Sequence, residues 1–198
     1  MQCKNKNLVD DYMIKMLSQI TNNAKLFNIF QKILLDNELH MHSIDVAKLS
    51  TQIAITLNLS DRDIKKISLA GYMHDSGKIV IDSSILYKPD RLSDAEFEII
   101  KKHPVDGYNY LKQAGVSEDI CQMVLKHHEK KSGKGYPEGI AKKTMPQEII
   151  TVADIFCALS EKRSYHNALT YRQALEFVDS FEDLDKDILQ ALKGSFAN

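Results

Sequence analysis

Residues 38–57 read ELHMHSIDVAKLSTQIAITL. Val46, Leu49, Ile53 and Leu57 recur at three- and four-residue spacing, the stripe of a helix with one buried face. Glu38 and His42 stand four apart and share a face of that helix. Neither Pro nor Gly occurs in this stretch or anywhere in the first 70 residues, so this third of the chain is expected to be almost all helix. Working outward, helices are predicted over 8–22 and 24–36 on one side. On the other, the turn Leu59-Ser60-Asp61 leads into a helix over 61–75 with Ser60 as N-cap. A helix over 94–102 starts at Ser93, with Glu96 completing a capping box. Others follow over 105–113, 117–129, 146–160 and 170–181, and a short one over 185–193 ends at Gly194. There is no alternating strand pattern of useful length and no internal repeat. The expected class is all-α.

The helix breakers are concentrated instead of scattered. All four prolines lie at positions 89, 104, 137 and 146, and Gly107, Gly115, Gly133, Gly135 and Gly139 fall in the same region. The stretch 130–145, KKSGKGYPEGIAKKTM, is the one long loop expected, and such a loop is a site candidate.

Composition narrows the function classes. The chain has 198 residues, 43% hydrophobic and 27% charged, with a formal net charge of −1. That is ordinary for a soluble globular domain. It argues against a DNA- or RNA-polymer surface, which would be strongly basic. No apolar run approaches the roughly 20 residues that cross a bilayer, and the N-terminus lacks the pattern of a signal peptide. Cys3, Cys121 and Cys157 are far apart with no CxxC, as expected of reduced thiols in a cytoplasmic protein.

The histidines have informative neighbours. His74-Asp75 ends the apolar segment SLAGYM. His127-His128 ends CQMVLK, His103 precedes Pro104 at a helix boundary, and Asp154 ends the apolar run IITVA. Each alone has an ordinary structural explanation. Together, imidazole and carboxylate ligands without thiolate favour iron, manganese or zinc. Two or more such ions can clamp a phosphate and activate a water, a task that takes at least about six protein ligands. Glu38, His42, His74, Asp75, His103, His127, His128 and Asp154 would supply them.

On these residues the sequence resembles a known family. His74-Asp75-Ser76-Gly77-Lys78 resembles the HDxGK signature of HD-domain phosphohydrolases. His127-His128-Glu129 followed by Gly133-Lys134-Gly135-Tyr136-Pro137 is similar to the HHE…GxGYP signature of the HD-GYP subfamily. Ile85-Leu86-Tyr87-Lys88-Pro89, His103-Pro104 and the segment Ala153–Leu159 with Arg163-Ser164-Tyr165 match its remaining elements in order, from about residue 38 to about 190.

The resemblance implies an HD-domain helical bundle with extra N-terminal helices, divided into an N-terminal helical extension at 1–37 and an HD-GYP catalytic domain at 38–198. It implies cytoplasmic, metal-dependent hydrolysis of cyclic di-GMP to the linear dinucleotide, and in some members on to GMP. It also implies two or three divalent ions, often iron or manganese. In it His42, His74, Asp75, His103, His127, His128 and Asp154 match metal ligands, with Asp75 bridging and Glu38 where three-metal members carry an extra glutamate. Lys78 matches a lysine beside the centre, acting on the phosphate and its developing charge. Arg163 matches a cation on the substrate phosphate. Gly133 and Gly135 allow a loop that turns Tyr136 toward the site.

The sequence also departs from the pattern. His166 stands where a second basic residue often follows the tyrosine of the RPY segment, Ser164 replaces its proline, Cys157 an aspartate and Ser132 an acidic residue. Alternatives remain at this point: another cyclic dinucleotide such as cyclic GMP-AMP, or a domain that binds a nucleotide or a protein with little turnover. A homodimer contact through the N-terminal helices, and a regulatory domain or partner protein, are left open.

Overall fold

The computed structural model describes residues 5–161 and 168–196. Arg163 and His166 lie outside the described residues. The described residues are helical with no strand. The chain runs through α1 (Lys6–Thr21), α2 (Ala24–Leu34), α3 (Asn37–Thr56) and α4 (Asp61–Met73), then a 3-10 turn (Ser76–Val80) and the short α5 (Ser83–Leu86). It continues through α6 (Asp94–Ile100), α7 (His103–Gln113), α8 (Glu118–Lys126), α9 (Met145–Ser160), α10 (Tyr171–Asp179) and α11 (Lys186–Phe196).

Local sequence sets the helix starts. Ser60 accepts a hydrogen bond from the Asp63 amide, and Ser93 and Glu96 form the expected capping box. Two elements escaped the sequence pattern. The 3-10 turn and α5 occupy the stretch left unassigned between the helices expected over 61–75 and 94–102, and α11 runs through Gly194 to Phe196. A Cβ on Gly194 would meet only Thr56 Cγ2, at 3.6 Å, so nothing forces the helix to stop there.

α3 is the central rod. Its stripe residues Val46, Leu49 and Ile53 are buried, but so are Ser43, Ala47, Ser50, Thr51 and Ala54 on other faces. These small side chains let α4 approach closely: a Cβ on Gly71 of α4 would lie 2.6 Å from Ser50 Oγ and 3.0 Å from Ala47 Cα. Tyr12, Met16 and Ile20 of α1, and Leu26, Ile29 and Ile33 of α2, belong to the same buried cluster as α3 and α4.

Short connections make antiparallel helix pairs, and this positions the chemistry. The turn between α3 and α4 returns the end of α4 to the start of α3, so residue 74 arrives beside residue 42. The turn between α7 and α8 likewise brings residue 127 beside residue 103. The two pairs are joined through the 3-10 turn, where backbone meets backbone. A Cβ on Gly77 would stand 2.0 Å from the His103 carbonyl oxygen and 2.7 Å from the Gly107 nitrogen. Gly77→Ala must therefore push α7 off the turn, and overpacking against rigid backbone costs about 3 kcal/mol or more. The expected result is a lower urea midpoint with an unchanged slope; a midpoint equal to the parent's would show that the turn and α7 are not in contact.

Candidate metal centre

Seven of the eight predicted ligands come together at the shared end of the two helix pairs. His42, His74, Asp75, His103 and His127 are almost fully buried, and Asp154 nearly so. Three groups have ligand atoms mutually within 4.8 Å: Asp75 with His103, His127 and His128; His42 with His74 and Asp75; and His74 with His127 and Asp154. Glu38 is exposed and outside these groups, but it lines the same cleft as His42, Asp75 and Lys78.

Asp75 sits between two histidine pairs. Its Oδ1 lies 3.1 Å from His103 Nε2 and 4.0 Å from His127 Nε2. Its Oδ2 lies 3.3 Å from His74 Nε2, 3.8 Å from His42 Nε2 and 2.6 Å from Lys78 Nζ. Asp154 Oδ1 completes the inner ring, 3.0 Å from His42 Nε2 and 3.7 Å from His74 Nε2.

The histidine rings are oriented from behind. Nδ1–H of His74 donates to the Gly71 carbonyl at 2.8 Å, that of His103 to Ile100 at 2.8 Å, and that of His127 to Val124 at 2.6 Å. A carbonyl can only accept, so these contacts fix Nδ1 as a donor and leave the Nε2 atoms facing inward. In each case the acceptor lies three residues earlier, at or near the end of a helix whose last carbonyls lack partners. His42 is held by a carboxylate instead: Nδ1–H donates to Glu161, 2.9 and 3.0 Å from its two oxygens.

The electrostatics show what the ring lacks. Burial opposes charge on His74, but Asp75 and Asp154 outweigh it and push the imidazole up to about 10. Burial also opposes charge on Asp75 and Asp154, yet neighbouring cations hold both carboxyls well below the usual range, Lys78 and His74 for Asp75, His42 and His74 for Asp154. Burial and adjacent imidazoles push His127 far down, and burial pushes His128 down to about 3. His74 Nε2 and Asp75 Oδ1, both fully buried, form no hydrogen bond although neighbours are close. Inward Nε2 atoms, two buried carboxylates and unsatisfied donor atoms fit divalent cations, and the cluster is compatible with divalent metal binding.

Two carboxylates that sequence reasoning left without a role support the site. Glu161 is seven residues after Asp154, the same-face spacing on a helix that could have exposed it. Glu129, fully buried, accepts from the amides of Glu138, Gly139 and Ile140 at 2.6, 3.1 and 3.0 Å. It folds the glycine-rich loop back onto the centre. There the Tyr136 ring lies 4.7 Å from the His128 ring and 6.4 Å from that of His103. Burial, with Asp75 and Asp154 nearby, pushes the Tyr136 phenol up, so it stays protonated.

Comparison with known proteins agrees with this geometry. The family model described as HD domain matches residues 11–188. The chain belongs to the HD-domain family and, by its HHE and GYP segments, to the HD-GYP group within it. It is 38% identical over 132 residues to the cyclic di-GMP phosphodiesterase response regulator RpfG of Xanthomonas campestris pv. campestris, covering 64% of this chain and 34% of that protein. It is 32% identical over 139 residues to the 3'3'-cGAMP-specific phosphodiesterase 1 of Vibrio cholerae, covering 69% and 32%. The chain thus spans about a third of the length of these curated relatives. Its fold is similar to that of Bd1817, an HDG"Y"P protein from Bdellovibrio bacteriovorus, with TM-score 0.66 and 18% identity over 94% of this chain and 63% of that one. Among the described residues no helix is long and apolar enough to cross a membrane.

Proposed function

We propose that the chain is a metal-dependent phosphodiesterase that opens cyclic di-GMP to the linear dinucleotide, with further cleavage to GMP as a second step, acting in the cytoplasm. The observation that carries the proposal is the position of Asp75, whose two oxygens face different histidine pairs beside an open cleft. In it residues 38–198 carry the chemistry and residues 1–37 extend the bundle.

His42, His74, Asp75 and Asp154 would hold one divalent ion, and Asp75, His103, His127 and His128 another, with Glu38 at the edge for a third; iron and manganese suit this donor set. Such ions polarise phosphoryl oxygens and lower the pKa of bound water to give hydroxide near neutral pH. The chain supplies the rest. Lys78 Nζ, paired with Asp75 Oδ2, stands at the rim of the cleft, where it meets negative charge growing on a phosphate oxygen. Tyr136 offers a ring face to a base and a protonated hydroxyl to phosphate. Arg163 grips the phosphate, and His166 is the second basic residue assigned to it.

The similarity to a 3'3'-cGAMP-specific enzyme favours cyclic GMP-AMP as the second substrate reading. A panel of cyclic di-GMP, 3'3'-cGAMP and cyclic di-AMP, with purified protein loaded separately with manganese and ferrous iron, tests both. The expected result is metal-dependent consumption of cyclic di-GMP, stopped by a chelator. Protein that binds metal but leaves every cyclic dinucleotide intact would overturn the proposal.

A further inference from the structure

The cleft beside Asp75 extends well past the metal ligands. It has a volume of about 460 Å³ and is lined by Glu38, His42, Asp75 and Lys78 together with the segment between α5 and α6, which includes Arg91. Three cations line it. Lys78 is paired with Asp75, and Lys88 donates to both oxygens of Glu96 at 2.7 and 2.8 Å. Arg91 is exposed and makes no ion pair among the described residues.

The segment carrying Arg91 is pinned on both sides. Before it, the Tyr87 hydroxyl donates to Asp36, the N-cap of α3, and Lys88 is tied to Glu96. After it, the Ser93–Glu96 capping box starts α6. The guanidinium is therefore presented from a fixed loop. The cleft also has apolar walls, with Leu39, Leu86, Pro89, Leu92 and Ile100, and the charged neighbours of Arg91 along the chain are Asp90 and the Glu96-paired Lys88. With Lys78 and Lys88 each paired to a carboxylate, Arg91 is the lining cation that has no ion pair among the described residues.

A cyclic dinucleotide has two phosphodiesters in one ring. While one lies on the metal ligands, the other needs a counter-charge elsewhere, and its bases need apolar walls. We propose that Arg91 binds the phosphodiester that is not being cut, which makes it a specificity-determining residue for cyclic dinucleotides over substrates with a single phosphodiester. The assignment rests on the phosphodiesterase function proposed above. The planar fork of arginine suits a phosphate's two free oxygens.

Steady-state kinetics on the full chain with metal test it. One measures kcat and KM for the cyclic dinucleotide that the parent cuts, and the inhibition constant of GpG, a linear dinucleotide with one phosphodiester and no terminal phosphate. Arg91→Ala is expected to raise KM about tenfold, the loss of a charge-assisted hydrogen bond, with a much smaller change in kcat. The GpG constant should move far less, and Arg91→Lys should recover part of the lost affinity. Unchanged KM in a folded Arg91→Ala protein, or a GpG constant that weakens in parallel with KM, overturns the inference. Should Arg91→Ala fail to fold, Arg91→Gln keeps the side-chain length and faces the same criteria. A parent protein that cuts no cyclic dinucleotide refutes the function itself, an outcome separate from a cutting parent that is indifferent to Arg91.

Discussion

Asp75→Ala is expected to empty the centre and to lower phosphodiester hydrolysis by well over a hundredfold, since losing mere supporting contacts around a metal already costs about 10–100-fold. Asp75 turns one oxygen to each half of the site: Oδ1 looks toward His103 and His127, and Oδ2 toward His42 and His74. Without the carboxylate the two histidine pairs lose the group that lies between them, and Lys78 loses its ion pair. Elemental analysis of the purified variant, alongside its turnover, gives the answer. Full metal content would show that Asp75 does not bridge. Asp75→Asn keeps the shape of the side chain and should lose metal as well, which separates loss of charge from loss of packing.

Glu129→Ala should be strongly destabilising although Glu129 is not one of the proposed ligands. One fully buried side chain accepts three backbone amides from residues 138–140. Its removal leaves three donors without partners, and each unsatisfied buried group costs about 1–3 kcal/mol. Solvent reaching the loop will recover part of that, so a loss of about 3 kcal/mol is expected. Thermal or urea unfolding measures it. Protease sensitivity should rise between residues 130 and 145, because that loop loses its internal anchor. Unchanged stability together with an unchanged cleavage pattern would refute the anchoring role.

Much of the helical order follows from local rules. Residues 6–56 form three helices in a stretch without Gly or Pro, and Ser60 and Ser93 cap where their spacing indicates. The turn at 76–80 was not legible, because its cause is tertiary: Gly77 must pass against the His103 carbonyl, a contact about 26 residues away in the chain. Gly194 was misleading for the converse reason, since a glycine stops a helix only when its surroundings use its freedom.

The centre was legible as a set of residue types and motifs, and the fold brings seven of those positions within reach of one another. Glu129 and Glu161 carried too little signal, because a single acidic residue beside a loop or at a helix end is usually solvated. Only burial and the acceptor geometry distinguish them. Arg91 is the opposite case: an exposed arginine in a connection has nothing to mark it until the cleft around it is seen.

His74, His103 and His127 each tie their Nδ1–H to a carbonyl three residues back. Each bond closes off a helix end and at the same time locks the torsions of the ring. The rotational freedom of these side chains is thus given up when the helices form and not when a cation arrives. Ordering a side chain at the moment of binding costs about 0.5–1.5 kcal/mol, and for three rings that cost has been moved into folding. The same coupling has a drawback for the protein: none of these three histidines can be replaced without also uncapping a helix, so the inward-facing donor set and fold stability cannot drift independently at these positions.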